Sequence, residues 1–481
     1  MSLYIFIFLL ITFLTIKSDD KLIFVMTHFR HGARAPQYYY DQDNYLDYIK
    51  EHWDNPGELT GVGQRMHYLL GIRNRLRYID EKKFLSKKFN PHEILIYSSP
   101  FNRTIISVSS QLQGLYPQYI SQGENVTEKQ KDFAVPQVNI DCEEINEEIN
   151  NLNYSALPNS MILAPVRMIN NNERKITLYD IEPCTYKRDK IKTKHSETLS
   201  SLLNITKTFN ERYGEKLDKF YGKKEKYDMW FMDNFCDAFI SGYTHKRTME
   251  ELNKTEIDFE ELIDFCFEFQ KLNFRDWISG DPEHVLAHLE VSKLMKEFIH
   301  YMKERIKADI NGEKDIDKKY EDYSRPKMMM ISGHDSTISC YEIFLMEALN
   351  YNITENYVYP KFAAQIAFEV TTENDNKPGK TYAHYYINYY FNDKQIFKIS
   401  VEDFLSKVKN HIWSDKKIND FCGFDKNNND EDEKSYKVLL VVFICFTAFF
   451  LFTTVLFMIL WRKKYNESRI SGNPLISRNT E

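Results

Sequence analysis

Glycine and proline are scarce, with 16 and 14 copies in 481 residues. That excludes collagen-like and low-complexity chains and disfavours an all-β design punctuated by Gly/Pro turns. A basic excess is also missing. The net charge is −7, which argues against a nucleic-acid binder and confines any polyanion binding to a local pocket. The seven cysteines show no Cys-x-x-Cys or Cys/His ligand spacing, so a zinc site has little support. Internal repeats are absent. Apolar and aromatic residues, at 43% and 15%, are plentiful enough to exclude global disorder. At roughly 150 residues per domain the length allows one large two-part unit or up to about three domains.

Two apolar segments bracket the chain. Leu3 to Ile16 is too short to span a bilayer and sits where a secretory signal belongs, so residues 1–18 are expected to be a signal peptide. Its processing point near Ser18 is poorly specified, and an uncleaved anchor stays open. Val438 to Trp461 is 24 residues without one charge, followed at once by Arg462, Lys463 and Lys464. That pattern predicts a transmembrane helix over 438–461 with residues 462–481 as a cytosolic tail. The bulk of the chain is then lumenal or extracellular, the arrangement of a single-pass type I membrane protein. The acidic run Asn427 to Lys434 lies in a segment, 425–437, read as a solvated stalk. N-x-S/T acceptors at Asn102, Asn125, Asn153, Asn204, Asn253 and Asn352 agree weakly with a secretory route. Six cysteines outside the span would meet an oxidising compartment, which permits up to three disulfides.

Between the brackets, Lys21 to Thr27, Glu93 to Ser98 and Lys327 to Ser332 are short apolar runs without strict alternation. They have the form of strands buried on both faces of a parallel sheet. Helices are expected from Thr60, with Val62, Met66, Leu69 and Leu70 at helical spacing, and after Ser98, with Ile105, Ile106, Val108, Leu112 and Leu115. From 141 to 321 the sequence becomes polar and helix-compatible, for example over Val285 to Ile306. The expected fold class is α/β: an open, mostly parallel sheet flanked by helices, with a mainly helical insert over 141–321. The α/β part is expected in two pieces, 19–140 and 322–424.

Directly after the first strand comes Arg30-His31-Gly32-Ala33-Arg34-Ala35-Pro36. Two guanidiniums flank one imidazole: arginine forks match phosphate oxygens, and neutral histidine can act as a nucleophile. Arg103 follows Ser98 by five residues, and His334-Asp335 follows the third strand. In open parallel sheets ligands bind beyond the carboxyl ends of the strands, where these three clusters can meet. Singly, each has a plainer reading as a loop histidine, a surface arginine or a helix cap.

Together they resemble the histidine acid phosphatases, a branch of the histidine phosphatase superfamily. Arg30 to Pro36 is similar to the family signature, Leu59 to Gln64 to its helix entry, Ser99 to Pro117 to its second arginine segment, and His334-Asp335 to its catalytic dipeptide. The resemblance implies that His31 attacks phosphorus and becomes phosphohistidine. It further implies that Arg30, Arg34, Arg103 and His334 hold the phosphoryl oxygens, and that Asp335 protonates the leaving alcohol. No metal and no other cofactor is implied. Because a carboxylic acid loses its proton near pH 4 and a nucleophilic histidine must be neutral, an acidic working pH is expected. The resemblance also pairs Cys184 with Cys422. It leaves the partner of Cys236 open between Cys340 and Cys266, since the stretch Pro360 to Gln365 lacks the expected cysteine. The expected partners are phosphate monoesters and, through the C-terminal helix, a membrane; a homodimer stays open. The alternatives are a phytase or inositol-polyphosphate phosphatase of the same superfamily and a catalytically inert membrane glycoprotein. The tail shows no standard sorting signal, so lysosome, another acidic vacuole and cell surface are all compatible.

Overall fold

The computed structural model describes residues 20–37, 53–117, 125–134, 143–158, 162–168, 200–221, 227–247, 256–279, 284–311, 326–373, 379–422 and, with gaps, 443–467. The chain divides into two units, Met1–Ser414 and Asp415–Glu481.

The first unit is α/β. Its strands are β1 (Lys21–Arg30), β2 (Ile94–Ser98), β3 (Arg167–Met168), β4 (Met328–Gly333), β5 (Gln365–Thr372), β6 (Tyr385–Phe391) and β7 (Lys394–Ser400), joined in one sheet in the order β3-β2-β4-β1-β5-β6-β7. β3, β2, β4 and β1 run parallel, and β5, β6 and β7 extend the sheet antiparallel. The helices are α1 (Gly61–Arg75), α2 (Asn102–Leu115), α3 (Glu143–Leu152), α4 (Ser200–Phe209), α5 (Glu215–Tyr221), α6 (Met229–Thr244), α7 (Phe259–Ser279), α8 (Val285–Asn311), α9 (Asp335–Leu349), α10 (Ile353–Asn356) and α11 (Val401–Val408).

Both sheet faces are covered, which is why the strands carry apolar runs instead of alternation. In β4, Met328 and Met330 join Ile96, Val108 and Leu112 on the face covered by α2, whereas Met329 and Ile331 join Phe298 and Phe344 on the face covered by α8 and α9. The methionine run is thus core strand, split between two cores by the two-residue side-chain period. On α8 the expected apolar stripe, Leu289, Leu294, Met295, Phe298 and Met302, is buried throughout.

α1 departs from expectation. Thr60 caps it as the sequence suggests, but Val62 and Leu69 are 40% and 57% exposed. The buried face is instead Gly63, His67, Gly71 and Asn74. Small and polar residues occupy it because the helix lies against backbone: His67 Nε2 donates to the Arg30 carbonyl at 3.1 Å, and Gly63 abuts the loop after β1.

The helices α4, α6 and α7 form a separate aromatic core with Phe209, Phe235, Phe239 and Phe269 at its centre. A disulfide between Cys236 on α6 and Cys266 on α7, with Cα atoms 5.1 Å apart, ties it together. That decides the partner of Cys236; Cys340 is buried on α9. Cys422 is disulfide-bonded; Cys184 lies outside the described residues.

The second unit contains α12 (Asp415–Cys422) and a helix over 450–467. Among the described residues no helix is long and apolar enough to cross a membrane. The segment 438–461 is described only in part, and where it is, its large apolar side chains are exposed on every side, from Phe450 at 66% to Trp461 at 63%. Residues 1–18, the stalk 425–437 and the tail beyond 467 lie outside the described residues.

Candidate active site

Register brings the three sequence clusters to one edge. In the parallel pairing Arg30 stands opposite Gly333, and Ser98 opposite Ser332. β1, β2 and β4 therefore end level, and the next residues of each, His31, Ser99 and His334, emerge side by side. Backbone bonds fix the rim: His31 N donates to Gly333 O at 3.0 Å, and Ser99 N to Ser332 O at 3.1 Å. The loop after β1 is pressed onto the start of α1. A Cβ on Gly63 would stand 2.1 Å from the Ala33 carbonyl oxygen, and one on Gly32 would stand 2.4 Å from that of Gly63. Only glycine at both positions allows this approach.

His31 is buried, and its Nδ1 lies 2.9 Å from the Gly32 carbonyl oxygen. Because a carbonyl only accepts, Nδ1 carries the proton and Nε2 keeps its lone pair. Burial, then the charges of Arg30, Arg103, Arg34 and His334, hold the His31 pKa well below the ordinary histidine value. Every expected phosphate-binding residue is therefore near enough to act electrostatically on this one ring. His334 is depressed in the same way, by burial and then by Arg103, Arg30 and Arg34. Its Nε2 is 2.9 Å from Ser99 Oγ, and its ring centre is 5.6 Å from that of His31. His28, buried in β1 three residues before His31 and edge-on to Tyr341, is pushed down to about 3 by burial.

Each arginine is braced. Arg30 donates to Tyr359 Oη at 3.1 Å and to the Pro360 carbonyl at 2.9 Å, and pairs with Asp335 at 2.7 Å. Its guanidinium lies 4.4 Å from the centre of the Phe362 ring. Arg34 makes a two-armed contact with Asp237 of α6, at 3.2 and 2.8 Å. Arg103 lies 4.4 Å above Phe101. Asp335 opens α9, accepting from Ser336 N at 2.9 Å and from Tyr359 Oη at 3.3 Å. Asn102, formally a glycan acceptor, donates to Glu58 at 3.1 Å and adjoins Arg103.

All six residues expected from sequence therefore meet at one rim. Missed were Asp237, Tyr359 and Phe362. Asp237 left a faint signal as the single acid inside the apolar run Phe235 to Ile240. The rim can hold a tetrahedral dianion between guanidiniums with an unprotonated imidazole nitrogen facing it and a carboxyl group beside it. No metal is required for such charge compensation.

Comparison with known proteins agrees. Lysosomal acid phosphatase from Xenopus laevis is 25% identical over 344 residues, 70% of this chain and 65% of the relative. Human testicular acid phosphatase is 37% identical over 101 residues, 21% of this chain and 23% of the relative. The chain thus spans less than two thirds of the length of each. Among solved structures, the phytase of Hafnia alvei in complex with tartrate superposes with a TM-score of 0.51 at 12% identity, over 84% of this chain and 98% of that one, a likeness of fold. The family model for branch 2 of the histidine phosphatase superfamily matches residues 21–392, and the chain belongs to that family.

Proposed function

We propose that the chain hydrolyses phosphate monoesters at acidic pH through a phosphohistidine on His31. The observation that carries this reading is the convergence of Arg30, Arg34, Arg103 and His334 on a histidine whose Nδ1 proton is engaged and whose Nε2 is free. The phosphoryl group sits among the guanidiniums. His31 Nε2 attacks phosphorus, the ester P–O bond breaks, and Asp335 gives its proton to the departing alkoxide. Water then attacks the phosphohistidine, loses its proton to Asp335, and releases inorganic phosphate. The depressed His31 pKa keeps the ring unprotonated in acid, while acid supplies the proton that Asp335 must carry. Before substrate arrives, the Arg30–Asp335 pair occupies both groups; an incoming phosphate dianion draws Arg30 to itself and frees the carboxyl.

Phe101 and Phe362 flank the two histidines, with ring centres 5.1 Å from His334 and 5.9 Å from His31. Such an apolar collar favours monoesters of uncharged alcohols over a densely charged inositol polyphosphate. The charge-free stretch 438–461 and the basic triplet after it support a C-terminal anchor with the catalytic part lumenal, and the acid phosphatase relatives support an acidic compartment.

The test is an assay of the full chain in detergent from pH 3 to 8, with p-nitrophenyl phosphate and phytate in parallel. Expected are an acidic optimum, a higher kcat/KM for the monoester and an acid-labile phosphoenzyme. Preference for phytate would transfer the reading to an inositol-polyphosphate phosphatase. No turnover of either would sink it.

A further inference from the structure

At the far end of α9, three histidines crowd one carboxylate. Glu347, in the last turn, has Oε2 2.9 Å from His284 Nδ1 and 3.3 Å from His288 Nε2, and Oε1 3.4 Å from His411 Nδ1. The ligand atoms of His288, Glu347 and His411 all lie within 4.8 Å of one another. The three residues come from the first turn of α8, the last turn of α9 and the segment after α11. That end of the molecule is about 18 Å from Asp335 along the helix axis, at 1.5 Å per residue.

We propose that His288, Glu347 and His411 form a binding site for a divalent transition metal of the zinc class, with water in the remaining position. Ligand atoms about 2.0–2.1 Å from a tetrahedral ion stand about 3.3–3.4 Å apart. The separation of His288 Nε2 from Glu347 Oε2, 3.3 Å, matches that edge, and His411 Nδ1 stands 3.4 Å from the other carboxylate oxygen, so that the three residues face one point within 4.8 Å.

The proton on His288 is assigned by its neighbour. Nδ1 is 2.7 Å from the backbone carbonyl of His411, which only accepts, so Nδ1 is the N–H and Nε2 is the nitrogen left to face an ion. An imidazole that donates its second nitrogen to a backbone carbonyl is the usual support of a metal-bound histidine. His288 is also held flat, its ring stacked at 17° on His411 and at 15° on Trp413.

Glu347 calls for a cation on separate grounds. A carboxylate in the last turn adds to the negative end of the helix dipole, and α9 has no basic residue there. His284 is a positioning residue. It contacts the carboxylate from a left-handed backbone conformation, φ 47°, that non-glycine residues adopt only when held there. With side-chain exposures of 7% for His288 and 26% for Glu347 and His411, the ion would have a way in and room for one water.

The test uses the full chain in detergent, stripped with chelator and titrated with cobalt(II) at pH 7.5, where protons compete least for imidazole. Expected are one cobalt per chain and visible ligand-field bands of a four- or five-coordinate site. Loss of a ligand in Glu347→Gln or His411→Ala should weaken cobalt binding at least about 100-fold, and His284→Ala about 10-fold, in line with the cost of a lost supporting contact. Zinc should raise the melting temperature of wild type and leave that of Glu347→Gln unmoved. No saturable cobalt binding by wild type, or wild-type affinity in both ligand variants, would overturn the site. A cluster that responds to acidification and not to metal would be a proton-held histidine–glutamate lock, which also overturns it.

Discussion

Helix α9 carries opposite chemistry at its two ends. At its start, His334 and neighbouring His31 sit among Arg30, Arg34 and Arg103, and their pKa values are pushed far down. At its finish, His284, His288 and His411 surround Glu347, whose carboxyl is held far down instead. Between them, buried Glu342 has a tyrosine for a neighbour, donating from Tyr389, and burial pushes its pKa up to about 7. The same residue types thus stand as imidazoles held low among cations, a carboxylate held low among imidazoles, and a core acid held high by burial. What differs is burial and, at the two ends, the charge of the neighbours. The helix dipole runs the same way, favouring anions at the start of the helix and cations at its end.

The most severe way to break the comparison is to remove the proposed nucleophile. His31→Ala should lower turnover at least about 10,000-fold, as loss of a covalent catalyst does elsewhere, and abolish the trapped phosphoenzyme without altering the metal-dependent melting shift. Labelling that survives would place the nucleophile elsewhere.

Asp335→Asn probes proton delivery. General acids contribute typically 100- to 10,000-fold, so alkyl phosphates should lose at least about 100-fold and p-nitrophenyl phosphate markedly less. Arg103→Ala should weaken all substrates alike. Equal losses across leaving groups in the Asn variant would remove Asp335 from that role.

Phe101→Glu imports the far end's sign into the rim. A carboxylate beside Arg103 and His334 should cut kcat/KM roughly 10- to 100-fold, since misplaced positioning groups cost that much. It should also move the acid limb of the pH–rate profile upward, because a nearby anion favours imidazolium. An unchanged limb would mean that cation crowding does not set the histidine pKa values.

Smaller effects fall on stability. The Glu342 pKa is raised above its unfolded value of 4.5. Between pH 4.5 and about 7 the folded chain therefore binds more protons, and stability falls as pH rises. Glu342→Gln should gain roughly 3 kcal/mol at pH 7.5 and little at pH 4.5. An equal change at both would refute the buried proton. His67 has the opposite sign. Burial, against hydrogen bonds to Gln111 and the Arg30 carbonyl, lowers it to about 4, so the unfolded chain takes up protons first as pH drops below 6.5. His67→Gln should remove about one proton from the acid slope of stability between pH 6.5 and 4, read from denaturant melts.

Local signals made the first end of α9 legible in sequence. The strands β1, β2 and β4 are continuous apolar runs, and the residues that follow each are charged, so Arg30, His31, Arg34, Arg103, His334 and Asp335 could be read as a group. The far end could not. His288, Glu347 and His411 are about sixty residues apart at each step, and none lies in a distinctive local pattern; only the His284/His288 spacing of four hints at a shared helix face. The α1 face was misread for a related reason. Apolar periodicity finds side chains that pack on side chains, whereas Gly63, His67 and Gly71 pack on backbone. The two-residue strand β3 is too short to leave any period.

The double contact between Arg34 and Asp237 makes α6, within the span expected as a helical insert, a foreman of the rim. A guanidinium has one plane, and its orientation here is dictated by α6, which the Cys236–Cys266 disulfide fastens to α7. A chimera that exchanges the insert for one from another member would keep the whole signature, yet would inherit a different angle for Arg34 unless it also supplied an acid at this place. The plane of Arg34 is therefore set by a residue 203 positions further along the chain.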